Sequence, residues 1–73
     1  MATEVYIIGV DADGGPVWPD ENAQPARFWG TENNGTLYLA FDPTGVDTTG
    51  LTKVLEADAP TVFIALRGIG APL

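Results

Sequence analysis

Between residues 26 and 42 the chain reads ARFWGTENNGTLYLAFD, two apolar runs separated by Asn33-Asn34-Gly35. Asn and Gly tolerate the positive φ that a tight turn demands, and between apolar runs they are the strongest short-range signal for an antiparallel hairpin. Strands are therefore expected at 26–32 and 36–42. With Asn34-Gly35 as a two-residue turn, Asn33 pairs with Thr36, Trp29 with Ala40, Phe28 with Phe41, and Arg27 stands opposite Asp42. Phe28, Leu37, Leu39 and Phe41 then share one face of the sheet, while Trp29, Thr31 and Tyr38 share the other. A three-residue turn with a bulge at Gly35 slips the first strand by one, bringing Phe28 beside Tyr38 and turning Trp29 over. The two-residue register is the preferred one, and in both Tyr38 lies opposite Leu37 and Leu39.

The rest of the chain must complete that sheet. Residues 3–10 read as a strand, with Val5 and Ile7 opposing Tyr6, Ile8 and Val10. A long loop follows over 11–25, where Gly14, Gly15, Pro16, Pro19 and Pro25 exclude regular structure. Residues 49–57 carry Leu51, Val54 and Leu55 at helical spacing behind Thr48 or Thr49 as a cap, which predicts a short helix in spite of Gly50. The run PTVFIALRG at 60–68 reads as the last strand over 61–68, with Val62, Ile64 and Leu66 opposing Phe63, Ala65 and Arg67, and 69–73 forms an apolar tail. The expected fold is α+β, mainly β: one small domain over 1–73, a single sheet of about four strands with a central Asn-Gly hairpin, and one short helix before the last strand. A small all-β barrel or sandwich is the alternative.

Such strands are apolar on both sides, so both faces of the sheet need cover. Four strands of about five residues make a face of roughly 300 Å² in projection. A helix of about eight residues shields only roughly 120 Å² of it. The balance must come from the 11–25 loop, the tail, curling of the sheet, or another molecule. Val17-Trp18-Pro19 is the obvious internal candidate, with Trp18 serving either as a lid or as an anchor for a partner. Trp18, Trp29, Tyr38, Ile69 and Leu73 are accordingly the expected partner-binding residues.

The chemical inventory narrows the function classes. The sequence has no histidine, cysteine or serine, which removes the Ser/His and Cys/His nucleophile arrangements, the usual transition-metal ligands and any disulfide framework. An enzyme is therefore not expected, nor is a cofactor or a small-molecule substrate. Asp11-Ala12-Asp13-Gly14-Gly15 begins like a calcium loop, but Pro16 and Asn22 occupy the positions of its glycine and its bidentate acid, so no metal site is expected. A looser set of oxygens from Asp11, Asp13, Asp20 or Glu21 is the alternative. Three basic residues against ten acidic ones give a net charge of −7, which repels nucleic acid and anionic lipid alike. The first residues lack the basic region of a signal peptide, and a cytoplasmic or virion location is the expectation.

What remains is binding. The expected function is a non-enzymatic structural or assembly subunit that binds a protein lattice or copies of itself, as compact acidic phage virion accessory proteins of capsid or tail do. The alternative is a small acidic inhibitor or adaptor for one basic partner protein, acting as a nucleic-acid mimic in the extreme case.

Overall fold

The computed structural model describes residues 2–73. Four strands, β1 (Glu4–Ile8), β2 (Trp29–Asn33), β3 (Thr36–Phe41) and β4 (Thr52–Val54), form one antiparallel sheet in the order β2-β3-β1-β4, and one helix, α1 (Pro60–Gly68), follows the last strand. The architecture is thus α+β and mainly β, with an open sheet that does not close into a barrel.

The hairpin takes the two-residue register. Asn33 pairs with Thr36 and Trp29 with Ala40. Asn34 at φ 54° and Gly35 at φ 80° both occupy the left-handed region, the signature of a type I′ turn whose twist suits the flanking strands. The hairpin lies on one side of the sheet rather than at its centre, with β2 as an edge. The middle is filled by β1, which pairs with β3 from Glu4↔Phe41 to Ile8↔Leu37 and with β4 from Val5↔Val54 to Ile7↔Thr52. Because β3 and β4 flank β1, the connection 42–51 must cross over it.

Two element assignments are corrected. Residues 60–68 form a helix and not the last strand. Pro60 stands at its first turn, where a missing N–H costs nothing and φ is preset for helix. Val62, Phe63 and Leu66 then bury against the sheet, while Ile64, which a strand would place beside Val62 and Leu66, faces out. Residues 49–57 are not a helix. Gly50 sits at φ 81° in a turn where the Leu51 amide donates to Thr48 at 3.0 Å and the Thr49 amide donates to the Asp47 carboxylate at 2.9 Å. That turn ends the helical option before it starts, and β4 follows, then a single 3₁₀ turn at Glu56–Asp58. The helix consequently comes after the last strand rather than before it.

Both sheet faces are covered from within the chain. On one, α1 and the tail pack over Val5, Ala40 and Val54, with Val62, Phe63, Leu66 and Ala71 making the buried cluster and Ile7, Trp29, Tyr38 and Leu73 at its margin. On the other, Tyr6, Ile8, Leu39 and Phe41 lie under Trp18 from the long loop and Val46 and Leu51 from the crossover. The Asp47 amide donates to Ala23 at 3.2 Å and joins those two covering segments.

Candidate interaction surface

The side chains expected to bind a partner fall in separate places. Trp18 is a half-buried lid, with its ring edge-on to Phe41 at 5.3 Å and to Phe28 at 5.6 Å between centroids. Trp29, Tyr38 and Leu73 meet on the opposite face, half-buried at the margin of the helix cluster, where the Arg27 guanidinium lies 5.2 Å from the Trp29 ring. The tail is built into the fold: the Ala71 amide donates to Leu66 at 3.0 Å, and Ala71 is buried. Ile69 alone of the five stays well exposed, at 55%.

The exposed apolar surface comes mainly from residues outside that set. Ile64 is 68% exposed and Leu55 58%, the two highest values among the large hydrophobic side chains. At 100° per residue, Thr61, Ile64, Ala65 and Gly68 share the side of α1 turned away from the sheet. The only charge on the helix is Arg67, at the border of that stripe. Its guanidinium donates twice to the Glu56 carboxylate, at 2.8 and 2.7 Å, lies over the Phe63 ring at 5.8 Å, and donates from Nε to the main-chain oxygen of Leu73 at 3.3 Å. Arg67 holds Glu56 below its ordinary pKa, and Glu56 in turn raises that of Arg67. Every acidic residue lies between Glu4 and Asp58, so the segment 60–73 presents no acid side chain at all. One signal in the sequence marked this surface: Pro60 opening a run of helical length that holds no acidic residue.

A second apolar area borders the long loop. Val17, Trp18 and Phe28 line an open cleft of about 540 Å³ whose rim carries Asp11 and Glu21. Val17 is 51% and Phe28 43% exposed. The Asp11 carboxylate is engaged within its own turn, accepting from the Asp13 and Gly15 amides at 2.9 Å each, and that turn is clamped by the bridge between Val10 and Pro16. Asp20 likewise caps the 3₁₀ turn Glu21–Ala23 by accepting from the Asn22 amide at 2.9 Å. Among the described residues no three acidic side chains converge as metal ligands would.

Elsewhere the polar contacts tie elements together. Lys53 on β4 donates to Glu4 on β1 at 2.7 Å, and the Tyr6 hydroxyl donates to the other Glu4 oxygen at 2.9 Å. Lys53 and then Tyr6 hold Glu4 below its ordinary range, while burial and then the Glu4 contact raise the Tyr6 hydroxyl. No helix among the described residues is long and apolar enough to cross a membrane. Compared with known protein families, curated proteins and solved structures, the chain finds no match.

Proposed function

We propose that this protein is a non-enzymatic assembly subunit that works by protein–protein contact, of the kind that decorates or accompanies a larger particle such as a virion. The observation that carries this reading is the outward side of α1, an uncharged apolar stripe centred on the exposed Ile64 in a chain of net charge −7. A solvent-facing helix side ordinarily carries charge, and one that does not is a side normally covered by something else. The side-chain inventory supports the same reading, since the sequence has no histidine, cysteine or serine from which the common nucleophile–base pairs are built.

A second reading, a small acidic adaptor for one basic protein, is favoured by the cleft at Val17, Trp18 and Phe28, whose acidic rim suits a partner that brings cations to an apolar contact. Isolation of the tagged chain from its native source separates the two. Recovery as a stoichiometric component of a large particle, reduced at least tenfold by Ile64→Glu and unaffected by Val17→Glu, is the expected result. Recovery bound to a single basic protein, sensitive to Val17→Glu instead, supports the adaptor.

A further inference from the structure

We infer that the cleft lined by Val17, Trp18 and Phe28 is a receptor for an arginine side chain presented on an exposed segment of a partner protein. The inference deepens the adaptor reading and rests on it, since it names the group that a basic partner brings to the cleft. It leaves α1 free, because the long loop and the helix cover opposite faces of the sheet.

Charge is the first argument. Asp11 and Glu21 stand on the rim, and neither forms an ion pair among the described residues. The chain has only three cations to offer, and all are placed elsewhere: Lys53 meets Glu4, Arg67 meets Glu56, and Arg27 lies against the Trp29 ring. The segment 1–26 holds no Lys or Arg at all. The cation that complements this rim therefore comes from outside the chain. Asp11 is also held ready for it. The Asp13 and Gly15 amides both donate to its Oδ1, while its Oδ2 takes no hydrogen bond. A carboxylate already fixed in its turn loses little freedom on binding.

The chemistry of the walls is the second argument. Trp18 and Phe28 meet edge to face at 5.6 Å with Val17 beside them, so aromatic surface and carboxylates border the same space. Within the fold that combination already serves arginine: Arg67 lies over the Phe63 ring at 5.8 Å while donating twice to Glu56. Lys53, by contrast, meets a carboxylate and no ring. A guanidinium is planar and weakly hydrated, so it stacks on rings and keeps its edge for carboxylates, whereas an ammonium is compact and holds its water. The methylene stem of arginine suits Val17. A purely apolar group would strip water from the rim carboxylates and give them no partner. The cleft of about 540 Å³ exceeds one side chain, so the residues flanking the arginine enter with it. Because the cleft is open, the ion pairs are solvated and the affinity of a short segment is low.

Magnetic resonance of the full chain, titrated with a short blocked peptide carrying one arginine beside one leucine among glycines, tests this at about 0.02 M salt. The expected result is saturable movement of the Trp18 indole N–H and Phe28 amide signals with a Kd on the order of 1 mM, while the Trp29 indole stays still. The peptide with citrulline, the neutral isostere of arginine, should bind about tenfold more weakly, and the lysine peptide about threefold more weakly. Asp11→Asn, which keeps the acceptor of the turn, combined with Glu21→Gln should weaken the arginine peptide about tenfold, whereas Asp58→Asn, outside the cleft, should leave it within about twofold. Absence of saturable binding, equal movement of both indoles, a citrulline or lysine peptide as tight as the arginine one, or an affinity indifferent to the Asp11 and Glu21 pair overturns the inference. If the double variant loses its circular dichroism spectrum, Glu21→Gln alone decides, since that carboxylate makes no hydrogen bond within the fold: a loss of about twofold or more supports the receptor and no loss overturns it. Peptide binding as expected, with recovery from the native source indifferent to Val17→Glu, ends the adaptor reading and leaves the chemistry of the cleft standing. A basic partner lost with Val17→Glu, but no peptide binding, keeps the adaptor reading and ends this inference.

Discussion

Trp18 shows at the scale of one residue how a small chain covers a face that its helix cannot reach. Its ring closes over Phe41, which has no exposed surface, and it meets Phe28 at the edge of the sheet. Removing the ring leaves a void over Phe41 that the loop has no other large side chain to fill. Trp18→Ala should cost about 2–4 kcal/mol in denaturant unfolding, whereas Val17→Ala at its exposed neighbour should stay within about 0.5 kcal/mol of the parent. Equal small effects would show that the loop does not cover this face. That Trp18 belonged to either a lid or a binding surface was legible from its place in a long loop. Which of the two it serves depends on where the crossover leaves room, and that is a property of strand order, which no local pattern encodes.

Among the elements, the turn and register of the hairpin were readable because that information is local: Asn34-Gly35 sets the turn and the turn sets the register, although the ladder stops at Trp29↔Ala40 and does not reach the expected Phe28–Phe41 and Arg27–Asp42 pairs. The two segments after it were exchanged for a physical reason. In PTVFIALRG, Val62, Ile64 and Leu66 recur at every second position while Val62, Phe63 and Leu66 lie at i, i+1 and i+4, so both the strand and the helix period fit a run this short. The tie is broken by Pro60 at the first turn and by the competition for the edge of β1, which Thr52–Val54 wins. A pair of substitutions distinguishes the assignments directly. In a strand, Val62, Ile64 and Leu66 would share a face and cost alike. In the helix, Leu66→Ala should cost about 2–5 kcal/mol because Leu66 is fully buried, and Ile64→Ala less than about 0.5 kcal/mol because Ile64 is in solvent. Thermal or denaturant melts of the two variants give the comparison. The candidate surface was legible only in part for the same reason. Trp29 and Tyr38 share a sheet face as the hairpin register implied, and the helix that packs there is the element whose own outer side then becomes the surface.

For the whole molecule, charge and topology set the response to conditions. Glu4, Asp42, Asp47 and Glu56 all have lowered pKa values, through Lys53 for Glu4, the Thr44 and Thr49 contacts for the two aspartates, and Arg67 for Glu56. A carboxylate with a folded value below its unfolded one adds stability that is complete above the unfolded value and is lost as pH falls through the folded one. The melting temperature should therefore fall below about pH 4, once these groups take up protons. Glu4→Gln should reduce the size of that fall by removing one of the linked groups. A melting temperature unchanged down to about pH 2 would show that these contacts do not contribute in solution. The position of β1 has a further consequence, for biosynthesis. Among the strands of the sheet the inner β1 is translated before all the others, and its neighbours β3 and β4 and its covering helix follow later. The growing chain thus carries Val5 to Ile8 uncovered until the later elements have emerged, and the core closes only once Ala71 is free. A fragment that stops short of Ala71 leaves that side of the central strand bare, and it should therefore be cut by a protease far faster than the whole domain.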